Sequence, residues 1–123
     1  MRSALTVFMA LHAIAHLVGF AVAWRLLESD EVPFKTTLWF GLLDVGPVGI
    51  RLVGLLWLTL AVLFLVASGG ALLGQPWWMG LAWATAGTSL VLSVLSLPEA
   101  RIGIVANAFV IGALALGPRL GWW

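Results

Sequence analysis

The most constraining feature of this sequence is the spacing of its formal charges. They occur at positions 2, 25, 28, 30, 31, 35, 44, 51, 99, 101 and 119, so three long runs carry none. Residues 3–24 form a run of 22, residues 52–98 a run of 47, and residues 102–118 a run of 17. A membrane-spanning helix needs about 20 mostly apolar residues, within a range of roughly 17–25. The first and last runs each fit one span, and the middle run fits two.

Composition supports a membrane protein and excludes several other classes. Hydrophobic residues make up 63% of the chain and charged residues 9%, whereas a soluble domain is about 25% charged. The net charge is only +1, so no basic surface is available for nucleic acid. Cysteine is absent, which excludes disulfides and thiolate-based metal or iron–sulfur sites.

We therefore predict one transmembrane domain over residues 1–123, an all-α bundle of four spanning helices in the cell membrane. The predicted spans are about 3–26, 49–68, 76–97 and 100–117. The middle run is divided by Ser68-Gly69-Gly70 and by Gly74-Gln75-Pro76, which are turn signals. Helices are favoured over barrel strands because the apolar runs do not alternate with polar residues.

The first segment has a second interpretation. Arg2, the apolar run and Ala21-Val22-Ala23 are similar to a cleavable signal peptide. However, the run is about twice the usual length of 7–15 apolar residues in such signals, and it contains two histidines. We expect the segment to be retained as a helix.

The loop after the first helix carries an amphipathic pattern. Apolar residues recur with helical spacing at positions 34, 38, 39, 42 and 43, and Lys35, Thr36 and Thr37 supply a polar side. The pattern predicts a short interfacial helix at about 34–44, begun by Pro33 and ended by Gly46-Pro47. Such a helix would be a membrane-surface anchor or a lid over a cavity.

His12 and His16 are the most informative polar residues. They lie four apart, so they share one face of the first helix, at depths of about 13 and 19 Å. Three interpretations are open: packing by neutral imidazoles, a metal or haem site, and a proton-sensitive or ligand-binding pocket. Packing is favoured, because two histidines without cysteine do not complete a metal site and cannot bind opposite faces of one haem iron.

Other helices place polar residues at the same depth. Thr85, Ser89, Ser93 and Ser96 follow one face of the third helix, and Ser89 lies about 19 Å from the terminal side. Asn107 of the fourth helix lies about 10 Å from the opposite surface of a core about 30 Å thick. We therefore predict a polar layer, used for packing or for ligand binding, that includes His12, His16, Ser89, Ser93 and Asn107. The other deep residues of note, Trp57 and Trp83, are expected to pack or to face lipid.

A group of charged residues is expected near the membrane surface on the side of the long loop. Asp44, Glu99 and Arg101 are expected to form a charge cluster there, with Arg51 as a plausible neighbour. Glu99 is expected in the first turn of the fourth helix, where a negative charge is favourable. A structural clamp is favoured over an anion-binding site.

Two segments carry a resemblance. Residues 11–20 (LHAIAHLVGF) and 99–107 (EARIGIVAN) resemble small bacterial four-helix membrane proteins with LHxxxHLxGF-like first and ARxGxxAN-like last helices. The resemblance implies that His12, His16, Arg101 and Asn107 belong to one site or one packing unit. It implies no activity and no substrate.

The sequence contains no recognisable catalytic motif, so a non-enzymatic role is favoured. The first hypothesis is a subunit or accessory module of a membrane complex, with the bilayer, a membrane protein partner or a second copy as partners. The alternative is a binder of a lipid, a quinone or haem in a pocket lined by His12 and His16. Oligomeric transport of a small solute is a weaker alternative. No cofactor is the favoured expectation.

Overall fold

The computed structural model describes all residues, from Met1 to Trp123. It contains four α-helices: α1 (Arg2–Ala23), α2 (Gly46–Leu72), α3 (Trp78–Leu95) and α4 (Arg101–Leu116). The predicted all-α four-helix bundle is therefore confirmed. Helices α1, α2 and α3 are long and apolar enough to cross a membrane, and α4 is a shorter apolar helix of 16 residues.

Helix α2 is longer than predicted at both ends. Pro47 lies in its first turn rather than ending a preceding helix, because proline needs no backbone donor there. Residues 68–70 remain helical, and a Cβ on Gly70 would lie 2.7 Å from the Trp77 ring. The glycine thus allows close packing, and the chain turns at Gly74, whose φ of +67° favours glycine.

The predicted interfacial helix at 34–44 is wrong. This stretch forms a small antiparallel hairpin of β1 (Thr37–Leu38) and β2 (Leu43–Asp44), with Thr37 opposite Asp44 and Leu38 opposite Leu43. Its turn has positive φ at Trp39, Phe40 and Gly41. The Trp39 and Phe40 amides donate to the carbonyls of Leu95 and Leu97, at 2.7 and 2.9 Å. Those carbonyls lie at the end of α3, where helical partners are missing, so tertiary hydrogen bonds override the local helical pattern.

Six of the twelve buried hydrophobic residues in the bundle core are alanines, and small side chains allow close helix approach. The buried hydrophobic residues of the core are Leu5, Met9, Ala13, Phe64, Ala67, Ala71, Trp78, Ala82, Ala86, Val110, Ala113 and Leu114. Outward-facing residues of the same helices, such as Leu11 and Ile14, are exposed and apolar, as expected for a surface facing lipid.

Helix α1 packs along α2, α2 along α3, and α3 along α4, whereas α1 and α4 touch over only a short stretch. At the end of the bundle where the two chain termini lie, Phe8 and Phe109 pack edge to face, with ring centroids 4.7 Å apart. One helical turn further along, His12 contacts Asn107. Beyond this point the two helices separate, and their separation positions the candidate site.

Candidate functional site

The polar network is a set of hydrogen-bonded side chains between α1, α3 and α4, formed by His12, His16, Ser89 and Asn107. All four are buried, and the outward-facing residues of the same helices are apolar. His16, Ser89 and Asn107 come together because their helices place them at a similar depth, as the helical rise predicts, and His12 lies one turn before His16 on α1. The structure thus brings four of the predicted layer residues into direct contact.

Asn107 is the centre of this network. Its Nδ2 donates to the Gly103 carbonyl and to Ser89 Oγ, both at 2.8 Å. Its Oδ1 lies 3.2 Å from His12 Nε2. Ser93, the fifth predicted residue, has its Oγ 3.4 Å from Asn107 Nδ2, and it is a weaker partner because of this longer distance.

His16 links the network back to α1. Its Nε2 lies 2.7 Å from Ser89 Oγ, and its Nδ1 lies 2.8 Å from the His12 carbonyl oxygen. Both histidine rings also pack edge to face with Phe64, at centroid distances of 5.1 and 5.3 Å. Backbone bonding and aromatic packing therefore fix both imidazoles in place.

A cavity of about 320 Å³ lies beside the network, at the lower end of the range of about 300–1,000 Å³ for ligand pockets. Residues of α1, α2 and α4 and of the segments 32–38 and 96–100 line it. His12 and His16 are its inner wall, and most of the remaining lining is apolar. Ala15 of α1 and Ile102 of α4 both line the cavity and are exposed, so it opens between these two helices.

Small residues and one tryptophan shape the cavity. A Cβ on Gly19 would lie 2.8 Å from the Trp57 ring, so Gly19 allows that ring to pack across α1. Trp57 in turn packs edge to face on His16, with centroids 5.1 Å apart. The sequence indicated only that Trp57 lies deep in the membrane, and no local pattern identifies it as a cavity residue.

An ion pair closes the loop end of the cavity. Lys35 Nζ lies 2.8 and 2.7 Å from the two carboxylate oxygens of Glu99, and both residues line the cavity. Their side chains are 31% and 19% exposed. Lys35 was not predicted as a site residue, because its contact with Glu99 joins positions 64 apart in the chain.

The structure does not bring the predicted charge cluster together. Glu99 pairs with Lys35, and it precedes α4 rather than lying in its first turn. Asp44 Oδ1 accepts from the Gly46 amide at 2.9 Å and so holds the start of α2. Arg101 is exposed and makes no ion pair, and the Arg51 guanidinium lies 5.6 Å from the Trp24 ring centroid.

Ser96, at the end of α3, is a lining residue with an unusual hydroxyl. Its Oγ is enclosed by protein and has no hydrogen-bond partner. An enclosed polar atom without a partner is costly, and this one belongs to the wall of the cavity. The spacing of the serines on α3 predicts that Ser96 belongs to the polar row. In the structure, its hydroxyl makes no hydrogen bond to the polar network.

No group of three or more histidine, cysteine, aspartate or glutamate side chains is arranged to hold a metal ion. Both ring nitrogens of His16 already have partners, and one nitrogen of His12 is engaged. Comparison with protein-family models, curated proteins and solved structures finds no match to this chain.

Proposed function

We propose that this chain is a four-span membrane protein that binds a small, uncharged, amphipathic molecule of the lipid or quinone class. The observation that carries the proposal is the cavity of about 320 Å³ between α1 and α4. Its walls are mainly apolar, and a few polar atoms lie at its two ends, as in typical ligand pockets.

The position of the opening supports a ligand that enters from the bilayer. Ala15 lies eight residues before the end of α1, about 12 Å from the loop end of that helix. At this depth the opening between Ala15 and Ile102 faces hydrocarbon. The only ions in the cavity wall, Lys35 and Glu99, neutralise each other, which favours an uncharged occupant.

The test uses 4-octylphenol as the probe and ¹⁹F NMR of the protein labelled with 5-fluorotryptophan in detergent micelles. Trp57 lines the cavity, whereas Trp83 does not and is exposed on α3. We expect a saturable shift of the Trp57 resonance, assigned with Trp57→Phe, and no comparable shift of the Trp83 resonance.

A matched pair of variants locates the binding. Ala15→Phe fills the opening and should weaken binding at least about tenfold, whereas Ala4→Phe makes the same change on the exposed face of α1, away from the cavity. Equal shifts of Trp57 and Trp83, or binding unaffected by Ala15→Phe, would contradict the proposal.

A second candidate is a subunit or accessory module of a membrane complex, in which the polar network only fixes helix packing. The observation in its favour is that the four network residues bond to one another without any further group. This role predicts that replacing both histidines by phenylalanine lowers stability and that 4-octylphenol has no saturable effect on Trp57. The resemblance to small bacterial four-helix membrane proteins stays a prediction and is compatible with either role.

A further inference from the structure

The directions of the hydrogen bonds in the polar network are determined by two backbone carbonyls. The Gly103 carbonyl can only accept, so the atom 2.8 Å away must be the amide nitrogen of Asn107. The second amide proton is donated to Ser89 Oγ, also at 2.8 Å. Asn107 Oδ1 therefore faces His12 Nε2, and it must accept a hydrogen bond from the protonated nitrogen.

The protonated nitrogen of His16 is determined by its partners in the same way. Its Nδ1 lies 2.8 Å from the His12 carbonyl, which only accepts, so Nδ1 carries the proton. Its Nε2 then accepts from the Ser89 hydroxyl at 2.7 Å. The bonds run in one direction from His12 to Asn107, Ser89 and His16, and back to the His12 carbonyl. His16 is neutral in this arrangement because its Nε2 accepts a hydrogen bond. His12 is assigned as neutral because a buried imidazolium needs a counter-charge, and the carboxylate that lines the cavity, Glu99, is paired with Lys35.

This arrangement leaves one ring nitrogen without a partner. His12 carries its proton on Nε2, so its Nδ1 is a free acceptor, and His12 is part of the inner wall of the cavity. Every polar proton of the His16, Ser89 and Asn107 side chains is already donated within the network. The inner end of the cavity can therefore accept a hydrogen bond but has no proton left to donate.

We infer that the cavity selects an amphipathic molecule that bears a hydroxyl group, and that it holds this hydroxyl against His12 Nδ1. A phenol, a hydroquinone or a long-chain alcohol has the required donor, whereas a quinone carbonyl, an ester or an ether does not. Ser96 Oγ is enclosed by protein, so its hydroxyl does not discriminate between these groups. The inference rests on the proposed function, and it specifies the chemistry of the ligand.

The experiment compares 4-octylphenol with its methyl ether, 4-octylanisole, which has the same shape but no donor. We expect the phenol to bind about tenfold more tightly, which corresponds to about 1.4 kcal/mol for one hydrogen bond. In protein labelled with ¹⁵N-histidine, the His12 Nδ1 resonance should move upfield with the phenol, because that nitrogen then accepts a hydrogen bond. It should not move with the ether.

A variant separates the acceptor from the network. His12→Gln retains an amide donor near the Nε2 position for Asn107 but has no nitrogen at the Nδ1 position. It should bind both probes equally while keeping the wild-type helix content by circular dichroism. The ¹⁵N measurement on the wild-type protein tests the inference even where this variant does not fold.

The outcomes distinguish this inference from the proposed function. Equal affinity of the wild-type protein for the two probes, with both weakened by Ala15→Phe, would overturn the hydroxyl preference and leave the cavity as a binding site. An unmoved His12 Nδ1 resonance with bound phenol would also overturn it. Absence of any binding sensitive to Ala15→Phe would overturn both proposals.

Discussion

The interface between α1 and α4 has a closed half and an open half. Large side chains are in contact across the closed half, whereas small residues leave space in the open half. In the closed half, Phe8 packs on Phe109 and His12 contacts Asn107. In the open half, Ala15 and Gly103 line a cavity. Small residues usually allow membrane helices to approach closely, and here Gly103 does so toward Ser93 of α3. Toward α1, the same small residues leave space.

The two halves also differ in polar satisfaction. In the closed half, each side-chain nitrogen and oxygen of Asn107 and Ser89 has a partner at hydrogen-bond distance. In the open half, Ser96 Oγ has none. The satisfied groups fix the helix positions, whereas two atoms without a partner, His12 Nδ1 and Ser96 Oγ, both belong to residues that line the cavity.

The largest expected effect comes from breaking the closed half. Asn107→Leu removes the centre of the network, leaves His12 Nε2 without its partner and leaves Ser89 bonded only to His16. We expect the free energy of unfolding, measured by titration with sodium dodecyl sulfate, to fall by about 2 kcal/mol. Ser93→Ala is the control and should lose less than about 1 kcal/mol, since its bond to Asn107 is long. Equal losses in the two variants would show that Asn107 is not the centre.

A smaller effect is expected from crowding the contact between α3 and α4. A Cβ on Gly103 would lie 2.8 Å from Ser93 Oγ, so Gly103→Ala should cost about 1–2 kcal/mol. The double variant Gly103→Ala with Ser93→Ala removes the clashing hydroxyl, because Ser93 Cβ would lie at 3.6 Å. A double-mutant cycle should therefore show a favourable coupling between the two changes, and strict additivity would contradict this account.

The smallest effect is expected at the loop end of the open half. Lys35 and Glu99 are partly exposed, and ion pairs of this kind contribute about 0–1 kcal/mol. Lys35→Met should therefore lower the free energy of unfolding by less than about 1 kcal/mol. The charge-swapped variant, Lys35→Glu with Glu99→Lys, should recover most of that loss. A loss as large as that of Asn107→Leu would mean that the ion pair, and not the network, fixes α4 against the rest of the bundle.

The predicted fold and the predicted polar layer depended on different properties of the sequence. The helices were predictable because charge-free runs of 17 to 47 residues leave little alternative to helix in a membrane. The depths of His16, Ser89 and Asn107 followed from a fixed rise per residue. Their mutual contacts required the order of the helices around the bundle, which the sequence does not specify locally.

The hairpin and the cavity were not predictable in this way. The helical spacing of apolar residues at 34–43 was misleading because Trp39 and Phe40 satisfy carbonyls at the end of α3, which are remote in the chain. The contact of Lys35 with Glu99 and the packing of Trp57 over Gly19 also join distant positions. Hydropathy and periodicity describe one segment at a time and do not report such contacts.

The charge-free runs were enough to predict apolar helices with a few polar residues at matched depth, because a backbone buried in a membrane needs internal hydrogen bonds. Which of those polar residues bond to one another and which face a cavity could be read only from the packed bundle. That difference depends on where α1 and α4 touch and where they separate, and it is set by side-chain packing between helices far apart in the sequence.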